Sequence, residues 1–322
     1  MPTTCFPTRL MLTLPDNPFL EKIEHGKPLL LLGSCFSDEI GLRLQQNGFE
    51  ALVNPGGTLF HPLAIAKVLN WALDDSSTLR TFPRADVWLS WDLAGSIYAM
   101  SEAALHENLE QLKKQLRKAI LESSHLLITF GSAWAYRLQE DQNLVANCHK
   151  QPSQLFSKEQ TTVQTIVETW KALISLIKQH NPTISVVFTV SPVRHAKDGL
   201  HENNLSKARL LLAVEALVEE TNCAYFPAYE LVLDQLRDYA FFKEDGVHPN
   251  EKATAHVWDY FKRNFCSDQT GQVLKEWEAL QLALQHKLLY PESQEAEQHK
   301  ARLAQMKTAF KEKYPKFIAT QL

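Results

Sequence analysis

Nothing in this 322-residue chain sets two cysteines at metal-ligand spacing. The five (Cys5, Cys35, Cys148, Cys223 and Cys266) are odd in number and scattered, which excludes a CxxC-type zinc motif and a disulfide framework. A basic surplus is also lacking. Lys plus Arg is 33 against 37 Asp plus Glu, a net charge of −4, so no nucleic-acid or anionic-membrane partner is implied. No apolar run is long enough to span a bilayer. The opening stretch, MPTTCFPTRLMLTLPDNPF, has a single arginine and is broken by prolines, so it lacks the apolar core of a secretory leader. The twelve histidines form no metal-binding tract, and there are no repeats. These absences predict a reduced, cytoplasmic, globular protein with no metal and no cofactor.

What is present is an α/β rhythm. An apolar content of 45% supports a sizeable core. KPLLLLGS (27–34), FEALVN (49–54), HLLITFGS (125–132), TISVVFTVSP (183–192) and CAYFPA (223–228) read as buried strands. Helices are expected at 38–48, 61–75, 102–122, around 161–180 and 204–220, and at 251–265, with Ser37 as the N-cap of the first and Pro62 opening the second. Residues 84–100 and 133–150 read as two hairpins outside the main sheet. Trp88, Trp91 and Trp134 would pack them against it.

The expected fold is therefore a three-layer α/β/α domain with a five-stranded parallel sheet over 27–267, preceded by an irregular lead-in (1–26). Residues 268–322 form a C-terminal helical hairpin. Its stripe of Val273, Trp277, Leu280, Leu284 and Leu288, then Leu303, Met306 and Phe310 after a Pro291 break, either packs on the domain or pairs copies into a homo-oligomer.

Ligands of such sheets bind beyond the carboxyl ends of the strands, here Gly33–Ser37, Asn54–Thr58, Gly131–Ala133 and Ser191–His195. Cys35 and Ser34 are the nucleophile-type side chains at the first of these. Cys35 as a small buried hydrophobe is the competing reading. In FFKEDGVHPN (241–250), Asp245 and His248 stand three apart on a loop. An aspartate can fix the tautomer of a general-base histidine, although a surface pair or a helix cap has the same pattern. Arg194 and His195 could meet an anionic group, and His149 could line a pocket beneath the second hairpin.

The order of GSCFS (33–37), NPGGTLFHP (54–62), TFGSAWAYR (129–137), VANCHKQP (145–152), TVSPVRH (189–195), SKARL (206–210) and YFPAYELVLDQLRDYAFFKEDGVHPN (225–250) resembles the GSCFA-domain family, a bacterial branch related to the SGNH (GDSL-type) hydrolases. The resemblance implies an SGNH-like fold and an ester-type acyl hydrolase with a Cys35–His248–Asp245 triad. Ser34 is the other candidate nucleophile. A thiolate at Cys35 would be favoured by the helix N-terminus and by His248. The superfamily draws oxyanion donors from the nucleophile's own N–H, a glycine after the second strand and an Asn after the third. Gly57 or Gly56 fits the second place. At the third, Ser132 and Ala133 stand where Gly-x-Asn is expected, so Ser132, or the amides of Asn54 or Asn147, would substitute. The expected partner is a small-molecule or saccharide ester. An acyltransferase acting on a hydroxyl acceptor and a catalytically silent binding module are the alternatives.

Overall fold

The computed structural model describes residues 12–286, 290 and 292–318. In chain order the elements are β1 (Leu29–Gly33), α1 (Cys35–Gln46), β2 (Ala51–Val53), α2 (Pro62–Leu73), β3 (Thr81–Arg84), β4 (Val87–Ser90), β5 (Tyr98–Ala99) and α3 (Glu102–Glu122). There follow β6 (His125–Phe130), β7 (Trp134–Leu138), β8 (Leu144–Val145), β9 (Phe156–Gln160), α4 (Val163–His180), β10 (Ser185–Val190), α5 (Leu200–Thr221) and β11 (Ala224–Tyr225). The chain ends with α6 (Ala228–Glu230), which runs into a π-helical turn at Leu231–Gln235, then α7 (Glu251–Phe265), α8 (Asp268–Gln285) and α9 (Gln294–Lys313).

Five parallel strands form one sheet in the order β11–β10–β6–β1–β2. The alternation of side chains along β1 divides the core. Leu30 and Leu32 join α2, α3, α4 and α5 on one face, while Leu29 and Leu31 join α1 and α7 on the other. The result is the expected three-layer α/β/α arrangement. The strand order reverses between β1 and β6, and a crevice opens there at the carboxyl ends.

Both excursions are larger than the hairpins read from sequence. Each is a three-stranded antiparallel sheet, β3–β4–β5 and β8–β7–β9. The strand FSKEQ of β9 is too exposed and polar to show alternation. The two sheets meet where the Trp91 and Phe156 rings pack edge to face and where the Ala146 N–H donates to the Trp91 carbonyl. Asp92, buried in the turn between β4 and β5, receives Lys67 Nζ at 2.8 Å and Arg80 Nη2 at 2.7 Å. Trp88 packs at the edge of the main core as expected.

The C-terminal helices fold back onto the end of α1. Trp277 Nε1 donates to the Gln46 carbonyl, and Trp277, Phe310 and Phe317 cluster together. Leu288 and Pro291 of the predicted stripe and break, like the first eleven residues of the lead-in, lie outside the described residues. Among the described residues, no helix is long and apolar enough to cross a membrane.

Two glycines show how local geometry sets the tolerance of this fold. Gly33 has φ 141°, and a Cβ there would lie 2.2 Å from the Thr129 carbonyl oxygen. Gly33→Ala should therefore cost about 3 kcal/mol or more in urea unfolding, since the strain comes from rigid backbone. Gly271, inside α8, has nothing within 4 Å of a built Cβ. Gly271→Ala should instead stabilise by up to ~1 kcal/mol, the helix-propensity difference.

Candidate active site

Cys35 is the first residue of α1. Its position follows from Gly33, which allows the backbone of β1 to press against β6 and turn at once into the helix. Ser34, not Ser37, is the N-cap: its Oγ accepts from the Phe36 N–H at 3.3 Å. Ser37 lies inside the helix and donates to Thr129 Oγ1 at 2.7 Å. The turn comes three residues sooner than hydrophobic periodicity alone suggests, which moves the cap from Ser37 to Ser34. Ser34 is 1% exposed with its oxygen engaged, and it does not line the crevice. Cys35 does.

The crevice, about 490 Å³, brings together Cys35, Ser132, Trp134, Arg194, His195 and His248. Trp134 thus belongs to the cleft wall, where it lies under Lys158 Nζ at 4.3 Å from the ring centre, rather than packing its excursion onto the sheet. Asp245 Oδ2 lies 2.6 Å from His248 Nδ1, and Asp245 Oδ1 accepts the N–H groups of Val247 and His248 at 2.9 and 3.0 Å. These three bonds, the backbone ones first, hold the Asp245 carboxyl down at about 2. With Nδ1–H committed to the carboxylate, the neutral ring presents Nε2 as an acceptor. Among the described residues, no hydrogen bond joins the Cys35 sulfur to this ring.

Two further histidines face the cleft. His61 caps α2, its Nδ1 accepting from the Leu63 N–H and its Nε2 meeting Thr161 Oγ1 at 2.9 Å. Burial lowers it to about 3, so it is neutral with both nitrogens engaged. His195 sets its ring edge against Phe60, and burial lowers its pKa as well. Neither has a carboxylate on a ring nitrogen as His248 has. Arg194 Nη1 donates to Asn204 Oδ1 at 2.9 Å.

The donors expected around the oxyanion are already spent on architecture. The Gly57 N–H donates to the Asn54 carbonyl at 2.7 Å, and Gly56 and Gly57 pack against Leu93, Ala94 and Ser96, away from the cleft. Asn54, at φ 41°, accepts the Gly33 N–H on Oδ1 at 2.8 Å and donates to Asp38 at 2.6 Å, so its amide braces the turn before Cys35 instead of facing the sulfur. Asn147 accepts the His149 N–H in a tight turn. His149 is buried at the joint between the two excursions, its Nε2 on the Ser90 carbonyl, and does not line the cleft. The N–H groups of Gly131 and Ser132 both go to the Phe60 carbonyl, and that of Ala133 goes to Ser206 Oγ. Of the substitutes named from sequence, only Ser132 reaches the cleft.

The electrostatics of the thiol also differ from expectation. Burial pushes the Cys35 pKa up and Asp38 adds to the rise, while Lys207 and the N–H groups of Cys35 and Phe36 pull it back. Desolvation outweighs the helix N-terminus here. The cation acting on the sulfur is Lys207, which lies in the SKARL segment (206–210) of the family resemblance, which assigns it no role. It sits on α5 within a buried polar face of Asn203, Ser206 and Lys207.

The GSCFA family model matches residues 28–261. The chain belongs to the GSCFA family. The matched span takes in β1 through most of α7 and leaves the C-terminal hairpin outside. The curated proteins offer no match to this GSCFA chain. Among solved structures, it is similar to a mutant of the acetylxylan esterase Axe2 from Geobacillus stearothermophilus at 15% identity, covering 76% of this chain and 96% of that one with a TM-score of 0.37. A second mutant, described as an acetyl-xylooligosaccharide esterase, matches at 16% identity, 77% and 97% coverage and a TM-score of 0.38. A protein of Parabacteroides merdae classed by resemblance as a GDSL-like lipase matches at 14%, with 76% and 97% coverage and a TM-score of 0.36. Likenesses this loose carry no substrate across.

Two measurements probe this geometry. Asn54→Ala strips the buried Gly33 N–H of its acceptor and should cost about 2 kcal/mol in urea unfolding. The pH dependence of stability should show His61. Its folded value of about 3 lies below the ordinary 6.5, so the unfolded chain binds the extra proton in between. Stability from neutral His61 is full above about pH 6.5 and falls as pH drops toward 3. His61→Gln should flatten that slope by about one proton in urea titrations taken across the window.

Proposed function

We propose that this GSCFA protein is a cysteine-dependent acyl hydrolase acting on ester bonds, with Cys35 as nucleophile, His248 as general base and acid, and Asp245 orienting His248. The single observation that carries the reading is the shared cleft. The residue presented at the carboxyl end of β1, beside the sheet's switch point, faces the same space as a histidine whose far nitrogen is bound to a carboxylate. In the reaction His248 Nε2 takes the thiol proton as Cys35 Sγ attacks the ester carbonyl. Collapse of the tetrahedral intermediate breaks the C–O bond to the alcohol, which leaves with that proton and gives a thioester on Cys35. Water, deprotonated by the same nitrogen, attacks the thioester, and the acid departs as the thiol regains its proton.

The oxyanion would rest on the Cys35 N–H and the Ser132 hydroxyl. Turnover of generic esters should accordingly be slow. Wild-type protein should release p-nitrophenol from p-nitrophenyl acetate and carry an acetyl group on Cys35 when quenched early and weighed intact. Cys35→Ala and His248→Ala should abolish both signals, and Ser132→Ala should lower kcat ~100-fold, the usual cost of one lost oxyanion donor. Faster release on adding an acceptor alcohol, with its ester as product, would mark a transferase. Full turnover by Cys35→Ala would refute the assignment.

A further inference from the structure

The segment after β10 sets two cations in the cleft and leaves both without an anion. Ser191 Oγ accepts the Val193 N–H at 3.3 Å, Asn203 Oδ1 accepts the His195 N–H at 2.9 Å, and Lys207 Nζ donates to the Ser191 carbonyl at 2.6 Å. Ser191, Asn203 and Lys207 are all buried, so the backbone on either side of Arg194 is fixed from within. Arg194, half-buried, lines the same crevice as Cys35 and His248, and the exposed Lys197 follows it along the loop. Arg194 Nη1 donates to the neutral Asn204 Oδ1 at 2.9 Å. Among the described residues, neither Arg194 nor Lys197 pairs with a carboxylate. Asp198 is the one acid in the cleft lining, and Lys158 holds it.

The bond to Asn204 orients the planar guanidinium without neutralising it. Its Nε and Nη2 edge meets no acceptor among the described residues, and such an edge grips an oxyanion group with two parallel hydrogen bonds. The lining therefore carries an excess of positive charge, which in a concave site draws anions inward. The donors present decide which anion fits. A phosphate is commonly cradled by several backbone N–H groups. Those of Gly131, Ser132, Ala133, Val193 and His195 are already engaged within the protein. A carboxylate needs only the two donors of one guanidinium edge. We propose that the cleft takes an ester bearing a free carboxylate, and that Arg194 is the residue that binds this carboxylate and sets the preference for it. The ester in this statement rests on the hydrolase reading, whereas the carboxylate site does not require turnover.

Binding and turnover are measured separately, so the two readings can fail apart. The arginine Nε–Hε NMR signals of the wild-type protein are followed during titration with succinate at constant ionic strength. The Arg194 signal is identified by its loss in Arg194→Gln. Succinate should shift that signal saturably, and neutral succinamide should leave it in place. No shift with succinate would overturn the proposal. So would an equal shift with chloride, which would mark an adventitious ion only, or a stronger one with inorganic phosphate. In turnover, after subtraction of the spontaneous rate, mono-p-nitrophenyl succinate should be cleaved with a kcat/KM ~10-fold or more above that of neutral p-nitrophenyl butyrate, the order of one charge-assisted contact. Arg194→Gln should remove that preference mainly through KM, and Arg194→Lys should keep part of it. Equal kcat/KM for the two esters would overturn the proposal and leave the hydrolase reading intact. If succinate binds at Arg194 and neither ester is cleaved, the carboxylate site stands and the hydrolase reading falls.

Discussion

The contact between the backbones of β1 and β6 at Gly33 governs the rest of the site. Any side chain at that position would collide with Thr129, so only glycine lets the first strand stay in register with its neighbour to the last residue and then turn at once. The abrupt turn makes Ser34 the cap and Cys35 the first helical residue. Cys35 therefore stands at the place where the strand order reverses and no crossover connection covers the sheet edge. The Asn54 amide secures the arrangement by joining the Gly33 N–H to Asp38 across two elements.

Around this turn, hydrogen-bonding capacity is consumed by support. Phe60 collects the two N–H groups that follow β6, Asn54 collects one from the second strand-end loop, and Ser206 takes a third from the Gly131–Ala133 segment. Each of these bonds fixes a strand-end loop, and those of the Gly131–Ala133 segment remove donors that an anion in the cleft could have used. The sequence departs from the SGNH pattern at Ala133, where an Asn is expected, and the structure carries the departure further, because the glycine expected to help after β2 is committed as well.

The main fold was legible in the sequence because its signals are local. Four consecutive leucines, Pro62 at a helix start and the period of α7 each report a buried strand or an amphipathic helix without reference to anything distant. The third strand of each excursion was not legible. Thr81–Arg84 and Phe156–Gln160 owe their conformation to partners far from the sites where the hairpins announce themselves. In the site, Cys35, Asp245 and His248 could be named from residue type and order. Asn54, Gly57, Asn147 and His149 could be named too, but where their side chains point depends on tertiary hydrogen bonds that no spacing encodes. Lys207 lies in the SKARL segment, but its burial was not legible, since a lysine in a helix is normally solvated and only the fold makes this one an interior residue.

Charged groups bear on how a site lacking its expected Asn could still stabilise negative charge. A hydrogen-bond donor acts only when it touches the oxyanion, so Ala133 in the place of the expected Asn, with no side-chain amide, is a real loss of contact. A charge acts at a distance, and in a dry, weakly polarisable interior its reach is several-fold longer than in water. Arg194 lines the cleft and Lys158 stands over the Trp134 ring at its wall, whereas Asp198, paired with Lys158, also lines the cleft and Asp38 opposes ionisation of the sulfur. The thiol is held neutral at rest by burial and by Asp38. On the proposed reading, negative charge appears at this position only when the sulfur ionises or a carbonyl is attacked. A cation at the cleft, such as Arg194, then strengthens its interaction as the charge develops, which is the differential binding that lowers a barrier.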